Sequence, residues 1–182
     1  MTELSNESAL VLRAGNGDRE AFAELLEEHL PAVRAFLLRL GVAQDDLDDL
    51  TQEVFLTVIG GLKQFRGGSR FSTWLLGIAL NTSRSWFRRR SPELGLPEDS
   101  AAPSDPPERR LLRREREERL DRALLELPCR LREAFVLRHV EQLPAAEVAN
   151  ILRVPEGTVR RWTFQARKQL RSRLAPKEST HE

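Results

Sequence analysis

The sequence predicts an all-α protein of two small helical domains joined by a proline-rich acidic linker, with a helix-turn-helix in the second domain. Apolar residues recur at helical spacing, and no segment shows the alternation of a strand. The stretch from Ser91 to Glu108 holds half of the 10 prolines and five acids but no base. Such a composition cannot bury enough apolar surface to offset the entropy of ordering. Near the carboxyl end, two helical segments are separated only by Arg153–Pro155.

The first domain, residues 1–91, is expected to consist of amphipathic helices. One apolar stripe comprises Phe22, Leu25, Leu26, Leu30 and Val33, and Pro31 predicts a kink or break in it. A long helix with apolar Leu50, Val54, Phe55, Val58, Ile59 and Leu62 follows Asp45, Asp46, Asp48 and Asp49. The helix macrodipole favours acids at that end. Gly60, Gly61, Gly67 and Gly68 end this helix and begin a loop. Ser72 or Thr73 can then cap the last helix.

A window from Val54 to Pro92 contains no Asp or Glu. Its cations are Lys63, Arg66, Arg70, Arg84, Arg88, Arg89 and Arg90, and they alternate with Phe65, Phe71, Trp74, Trp86 and Phe87. Cations can follow a phosphate backbone while aromatic rings stack on unpaired bases. For Trp74 and Trp86 taken alone a buried aromatic core is the better explanation, but it does not explain the missing acids. The window therefore predicts a surface that binds single-stranded nucleic acid.

Residues 92–108 are predicted to form the flexible linker, and residues 109–175 the second domain. A helix from Arg109 to Leu127 is expected to stop at Pro128, and a further helix from Arg132 to Glu141 should bury Phe135, Val136 and Val140. Pro144 suits the first position of the next helix. The final helix has Val159, Trp162, Ala166 and Leu170 on one side, and on the other Arg160, Arg161, Phe164, Arg167 and Lys168. An ordinary helical hairpin would not need that cationic face, so the pattern favours DNA binding.

Cysteine content and targeting signals limit the remaining classes. The only cysteine, Cys129, excludes an internal disulfide and a thiolate zinc site, and it is expected to be a small core residue. His29, His139 and His181 lie far apart without a metal-ligand pattern, so we expect no metal, cofactor or catalytic constellation. The sequence has no signal peptide and no apolar run near 18 residues, which predicts a cytoplasmic protein without membrane insertion. Residues 176–182 are expected to be a short polar tail.

Several motifs in order resemble a bacterial RNA polymerase sigma factor. Residues 48–55 (DDLTQEVF), 65–75 (FRGGSRFSTWL) and 78–81 (IALN) resemble its second conserved region. Leu127-Pro128, residues 133–138 (EAFVLR), 154–159 (VPEGTV) and 166–168 (ARK) resemble its fourth region. Two domains separated by a short linker are similar to the extracytoplasmic-function (ECF) group, whose members contain only these two regions.

The resemblance implies roles for individual residues of the first domain. In this group the loop before the last helix captures a base flipped out of the −10 element, so Phe65 is expected to line that pocket and Asn81 to close it. Arg66, Arg70, Arg84 and Arg88 complete the expected −10 contacts. The helix from Asp48 resembles the surface that docks on the polymerase clamp, with Asp49, Gln52, Glu53 and Phe55 as candidates. Simple capping of the helix is an alternative role for the acids.

In the second domain the resemblance implies that the last helix enters the major groove of the −35 element. The residues expected there are Thr158, Arg160, Arg161, Phe164, Gln165, Arg167 and Lys168, with Thr158 and the first backbone amides meeting a phosphate. Arg153 stands where the family usually has Gly, which costs on the order of 1 kcal/mol if the backbone there is left-handed. Thr163 replaces a large aliphatic residue and Trp162 replaces Arg, so we expect Trp162 either to supply the missing packing or to contact DNA.

The sequence thus predicts a promoter-specificity subunit that binds core RNA polymerase, recognises −35 duplex and −10 single-stranded DNA, and promotes transcription initiation. It is not expected to be an enzyme. An anti-sigma factor, often anchored in the membrane, is a further partner that the resemblance implies. A stand-alone helix-turn-helix regulator is the alternative, although it leaves the acid-free window unexplained; a nucleic-acid enzyme such as a recombinase is a third reading. The promoter sequence, the inducing signal and the anti-sigma partner cannot be read from the chain.

Overall fold

A computed structural model describes residues 2–90 and 113–174, which contain eight α-helices with connecting turns and no strand. These residues fall into two compact units, one of residues 2–38 and 42–90 and the other of residues 39–41 and 113–174. The all-α prediction is confirmed. The predicted linker (92–108) and tail (176–182) lie outside the described residues, as do the first four residues of the second predicted domain.

The first unit is built from four helices: α1 (Thr2–Gly15), α2 (Arg19–Arg39), α3 (Leu47–Gly61) and α4 (Phe71–Arg90). Its core is apolar, and the largest fully buried side chains include Phe36, Leu50, Val54 and Leu75. Helix α2 runs through Pro31, so the proline does not end the helix. Only part of the predicted α2 stripe is fully buried. Leu25 and Val33 are buried, whereas Phe22, Leu26 and Leu30 are half-buried.

The structure gives a side-chain cap at the start of α2 and a different start from the predicted one for α4. The carboxylate of Asp18 accepts hydrogen bonds from the amides of Glu20 (3.0 Å) and Ala21 (3.1 Å), which satisfies donors at the start of α2. These bonds and the Arg13 guanidinium hold the pKa of Asp18 below its usual range. At α4 the prediction was wrong. The helix begins at Phe71, so Ser72 and Thr73 lie inside its first turn.

The loop that precedes α4 begins where the glycines predicted it, at the end of α3. Helix α3 ends at Gly61, and one tight turn follows at Leu62–Gln64. Phe65 then takes an extended backbone (φ −69°, ψ 111°), and its amide donates to the carbonyl of Leu62 at 3.1 Å. Gly67 has a positive φ of 70°, a conformation that glycine adopts without steric cost. The chain therefore leaves α3 and reverses within a few residues before α4.

The second unit contains α5 (Arg113–Leu125), α6 (Cys129–Phe135), α7 (Ala145–Leu152) and α8 (Glu156–Leu174). Helix α8 packs against the other three. The segment predicted as one helix over 132–141 begins earlier, at Cys129, and changes to a π-helical turn at Val136–Val140. This change of pitch alters which residues face inward. Leu137 is fully buried while Phe135 and Val140 are only half-buried.

Two helix boundaries in this unit follow from proline. Helix α5 ends at Leu125 rather than at Leu127, because the residue before Pro128 is disfavoured in helical conformation. Pro144 lies immediately before α7 as its cap, with an extended ψ of 148°, instead of at the first helical position.

Cys129, expected in the core, is half-buried, and its thiol lies 3.4 Å from a carboxylate oxygen of Glu133.

The turn between α7 and α8 is a Schellman motif centred on Arg153. Arg153 is left-handed (φ 57°, ψ 48°), and its amide donates to the carbonyl of Asn150 at 3.4 Å. The amide of Val154 reaches back to the carbonyl of Ala149 at 3.1 Å. These two bonds satisfy carbonyls at the end of α7 in the pattern typical of a glycine cap. The condition stated for the steric cost is therefore met: the backbone is left-handed, and Arg153 occupies it at that cost.

Candidate nucleic-acid interface

A cluster of three rings holds Phe65 in the loop before α4. Its ring centroid lies 5.9 Å from that of Phe71, in an edge-on arrangement, and 5.1 Å from that of Trp74. Phe71 and Trp74 also contact one another at 5.8 Å. Such contacts favour defined ring orientations. Phe71 is buried and Phe65 half-buried, so the cluster anchors Phe65 while leaving part of its ring accessible.

Phe65 also lines an open groove of about 680 Å³ between helix α1 and the loop. Lys63 and Arg66 line the same groove and are exposed. From α1 come Ser8 and Leu12, which is 68% exposed, and Asn16 comes from the turn that follows α1. The groove thus combines a ring face, two cations and polar side chains. These groups suit a planar base attached to a phosphate.

The other residues predicted for the −10 element do not line this groove. Asn81 is exposed on α4. It lies two turns beyond Trp74, about 10 Å along the axis at about 1.5 Å per residue. Arg84 is half-buried one turn further on, and the exposed Arg88 donates a hydrogen bond to the Ser85 hydroxyl at 2.8 Å. Arg70 is exposed just before the helix. Apart from Phe65 and Arg66, the predicted residues therefore lie on α4 or just before it, outside the lining of this groove.

Two acids, one in α3 and one just before it, neutralise part of the positive charge of the acid-free window. Arg89 donates to both carboxylate oxygens of Glu53, at 3.0 and 2.8 Å. Arg90 forms an ion pair with Asp46. A window along the chain cannot detect these pairs, because the partners are 36 and 44 residues apart in sequence. The basic end of α4 is therefore less uniformly positive than the sequence window suggests.

The residues predicted to dock on the polymerase differ in accessibility. Asp49 and Gln52 are exposed, and Glu53 is half-buried. Phe55 is only 6% exposed and packs inside the first unit, so its side chain offers almost no surface to a partner. Asp48 pairs with Arg34 of α2.

Two apolar residues of α3 are exposed: Leu56, which the sequence analysis did not name, and Ile59, which it placed among the apolar residues of this helix. Leu56 is 60% exposed and Ile59 is 51% exposed. With Gln52 they follow the four- and three-residue steps that place side chains on one helical face. The sequence contains a signal for them: α3 has more apolar residues than one core-facing stripe needs. Val54, Val58 and Leu62 already fill that stripe.

Helix α8 separates a buried face from a polar one. Val159, Thr163, Ala166 and Leu170 are buried. The predicted stripe had Trp162 in place of Thr163, which was wrong: Trp162 is half-buried at the edge and Thr163 faces the core. The Thr163 hydroxyl donates to the helix's own carbonyls, at 2.9 Å to Val159 and 3.0 Å to Arg160, so it is satisfied without a partner from another helix.

The opposite face of α8 carries most of the residues predicted for the −35 element. Phe164 is 70% exposed and lines a groove of about 410 Å³ with Arg167, Lys168 and Arg171. The remaining exposed predicted residues are Arg160, Arg161 and Gln165. The signal is the combination: the exposed Phe164 ring shares a groove with three cations, and such cations match a polyanion.

Local contacts orient several of these side chains. Arg160 pairs with Glu156 one turn earlier. The Arg167 guanidinium lies 3.2 Å from Nε2 of His139, whose ring stacks against Phe135 at 4.9 Å. Burial, followed by the charge of Arg167, lowers the pKa of His139, which keeps the imidazole neutral and able to accept from Arg167.

The start of α8 offers less to a phosphate than the sequence suggests. The predicted contact Thr158 is half-buried, and its amide already donates to the carbonyl of Pro155 at 2.9 Å. The amide of Val159 donates to the same carbonyl at 3.3 Å. Hydroxyl contact by Thr158 remains compatible with this geometry, whereas its backbone amide is already in use.

Neither a metal site nor a membrane span is present in the described part of the chain. Residues 2–90 and 113–174 include no group of three His, Cys, Asp or Glu residues that could hold a metal ion. Within the same ranges, no helix combines the length and apolar character needed to cross a bilayer.

Comparison with known families identifies both units. The family described as sigma-70 region 2 matches residues 25–93, and sigma-70, region 4 matches residues 117–170. Together these matches cover more than half of the chain. The first contains the ring cluster and α4, and the second contains α7 and most of α8.

Curated relatives extend the similarity over nearly the whole chain. The ECF RNA polymerase sigma-E factor of Haemophilus influenzae is 34% identical, covering 97% of this chain and 99% of the relative. The protein of the same name from Escherichia coli K12 is 32% identical, with 97% and 98% covered. Among solved structures, the sigma factor RpoE of Bartonella quintana, in complex with the anti-sigma factor NepR, has a TM-score of 0.68 and 25% identity. That match covers 86% of this chain and 98% of the other.

Proposed function

Because the chain belongs to the ECF group of sigma-70 factors, the promoter-specificity subunits of bacterial RNA polymerase, we propose how its residues divide the work. It binds core polymerase, recognises −35 and −10 DNA and promotes transcription initiation. The observation that carries the division of roles is that the two compact units each expose their own combination of cations and an accessible ring. Phe65 supplies the ring in the first unit and Phe164 in the second.

We assign −35 recognition to the exposed face of α8. Arg160 and Arg161 lie near its amino end, where a recognition helix meets base edges, and Gln165 follows at the middle of the helix. Arg167 and Lys168 lie further along and hold the phosphate backbone. Phe164 gives an apolar contact, for which a thymine methyl group is a suitable partner. His139 keeps the Arg167 guanidinium in one orientation by accepting its hydrogen bond.

We assign −10 recognition to the groove beside Phe65 and to the exposed face of α4. A base extruded from the duplex can stack on the Phe65 ring, which Phe71 and Trp74 hold in place. Asn81 offers a paired donor and acceptor to a base further along the strand or to an edge of the same base. Arg66, Arg70, Arg84 and Arg88 supply the charge that the backbone needs.

Docking on the polymerase is assigned to the exposed side of α3. Asp49, Gln52 and Glu53 provide hydrogen-bond acceptors and negative charge, and Leu56 and Ile59 extend the surface with apolar area. This combination, an apolar centre with polar neighbours, is the usual anatomy of a specific protein interface. Phe55 contributes by packing beneath this surface, since its side chain is buried.

Further features of the proposal rest on the family. The chain acts as a DNA-binding initiation factor and not as an enzyme, and it works in the cytoplasm, where the polymerase transcribes. An anti-sigma factor is proposed as a regulator because the similar Bartonella quintana sigma factor was solved with one; attachment of that regulator to a membrane would hold the chain there until release. Residues 92–108 are proposed to span the distance between the two promoter elements.

The −10 assignment is tested by substituting Phe65. Loss of one stacking contact is worth about 1–3 kcal/mol, so Phe65→Ala should lower the open-complex equilibrium about 5- to 150-fold. Phe65→Tyr keeps a ring and should retain most of the activity. Permanganate footprinting of a cognate promoter measures the melted fraction, and a parallel titration with core polymerase checks docking. Melting that is unchanged in Phe65→Ala would remove Phe65 from the site.

A double-mutant cycle decides whether Phe65 and Asn81 hold the same base. Residues that share a ligand couple, whereas independent contacts add within about 0.5 kcal/mol. The separation of Asn81 from the ring cluster along α4 predicts additive losses in Phe65→Ala, Asn81→Ala and the combined variant. A large coupling energy would instead restore the single pocket expected from the sequence.

A further inference from the structure

The start of α3 and the end of α4 are joined by two ion pairs. In the first, Nη2 of Arg89 donates to both carboxylate oxygens of Glu53, at 3.0 and 2.8 Å. The second is Arg90 with Asp46. Glu53 side-chain exposure is 36% and that of Arg89 is 56%, so a partner can reach both groups.

Trp86 organises these pairs. The Arg89 guanidinium carbon lies 5.7 Å from the centroid of the Trp86 ring, and that of Arg90 lies 5.0 Å away. Both distances fall within the range of a cation–π contact. The ring therefore supports the two cations, while the carboxylates of α3 accept from them. The Trp86 ring and the two ion pairs therefore form one connected cluster at the last turn of α4.

The charged groups of these ion pairs are also proposed to bind two external partners, the polymerase and DNA. Glu53 belongs to the surface proposed above for polymerase docking, where a cation of the partner would bind it. Arg89 and Arg90 end the helix proposed to follow the −10 strand, where phosphates would bind them. A carboxylate engaged by Arg89 is less available to the polymerase. It also repels a phosphate that approaches the same guanidinium.

We propose that the Glu53–Arg89 and Asp46–Arg90 pairs are an intramolecular mask, which core RNA polymerase removes by supplying its own cations to the α3 acids. Docking then releases the basic end of α4 for DNA. The inference rests on the proposed docking role of Glu53. Because binding linkage is reciprocal, DNA bound at α4 would also free Glu53 for the polymerase and strengthen docking.

The size of the effect follows from the exposure of the pairs. Exposed ion pairs are worth about 0.2–1 kcal/mol each, so removing one should raise DNA affinity about 1.5- to 5-fold. Each arginine released to a phosphate should also steepen the dependence of log affinity on log salt by about one. The mask therefore biases the free protein against DNA without abolishing binding.

The experiment measures binding of the full-length protein, without polymerase, to labelled single-stranded DNA of mixed sequence over a range of salt concentrations. Glu53→Gln removes the negative charge of the Glu53–Arg89 ion pair. Asp49→Asn is the matched control, because it removes the same charge one turn earlier on α3 without touching either pair. We expect Glu53→Gln to raise affinity 1.5- to 5-fold more than Asp49→Asn and to steepen the salt dependence. Equal gains in the two variants would reduce the effect to general electrostatics and overturn the mask.

A second background separates the mask from structural damage. In Arg89→Gln the pair is already absent, so adding Glu53→Gln should give no more than the gain of Asp49→Asn. An undiminished gain there would overturn the mask as well. If Glu53→Gln fails to fold, Asp46→Asn tests the same idea through Arg90.

Polymerase affinity, measured on the same Glu53→Gln protein, distinguishes the two proposals. Weaker docking together with tighter DNA binding supports both. Unchanged docking would remove Glu53 from the polymerase surface and with it the release step, even if DNA binding tightened. Weaker docking without any gain for DNA would leave the docking role standing and refute the mask.

Discussion

Replacement of Arg153 by glycine should stabilise the second unit, because Arg153 is left-handed (φ 57°, ψ 48°) at the end of α7. A side chain with a Cβ pays about 1–2 kcal/mol in that conformation. Glycine avoids that cost, but it loses about 0.5–1 kcal/mol of stability because its backbone has more conformational entropy to lose on folding. The net gain expected for Arg153→Gly is about 0.5–1 kcal/mol, or roughly 1–4 °C in melting temperature for a chain of this size.

The side chain of Arg153 is exposed, so its removal alone should matter little. Arg153→Ala is therefore the matched control: it deletes the guanidinium but keeps the Cβ, and its stability should stay within about 0.5 kcal/mol of the wild type. Both variants are compared by urea unfolding and by a thermal melt. The reasoning about the left-handed cap fails if alanine stabilises as much as glycine, or if glycine gives no gain.

A parallel test uses the other non-glycine residue with a positive φ in the described ranges, Gln142 (φ 56°). Gln142→Gly should give a gain of similar size for the same reason. Because Gln142 and Arg153 lie in different turns, the two gains should add in the double variant.

Three further expectations concern other parts of the chain. The pKa of Asp18 is lowered because its carboxylate accepts hydrogen bonds from the α2 amides and from Arg13. Its contribution to stability is therefore present above the pKa of the unfolded state and is lost as the pH falls through the pKa of the folded state. Asp18→Asn should remove that part of the pH dependence of the unfolding midpoint. Burial and the charge of Arg167 lower the pKa of His139 in the folded state. As the pH falls below the ordinary histidine pKa of about 6.5, the unfolded state therefore binds a proton first, and stability should decline. His139→Gln should flatten this decline in the same measurement. Phe164→Ala should change stability by less than about 0.5 kcal/mol, yet weaken binding to a −35 duplex in a fluorescence titration; an unchanged affinity would leave the exposed ring without a role.

The architecture was largely predictable because helical periodicity and proline placement are local signals. The all-α class and the position of the three-residue turn at Arg153–Pro155 were confirmed by the structure. The left-handed backbone at Arg153 was also foreseeable, since the family pattern has glycine at that position. These features depend on neighbours a few residues apart, which a single sequence contains.

Features that depend on tertiary packing were not predictable in the same way. Trp162 and Thr163 are adjacent in sequence and differ by about 100° around the helix, so composition alone favoured burying the larger apolar residue. The structure buries Thr163, whose hydroxyl bonds to its own helix. Similarly, the acid-free window implied unpaired cations at the end of α4, whereas Arg89 pairs with Glu53, 36 residues away.

The most direct test of the account is run-off transcription by purified core RNA polymerase on fragments of the host genome, with and without this protein. The account predicts new transcripts that begin at a small set of positions, each preceded by two shared sequence elements. Deleting residues 113–182 should remove dependence on the upstream element. A protein that binds the fragments but leaves the transcripts of core polymerase unchanged would contradict the account.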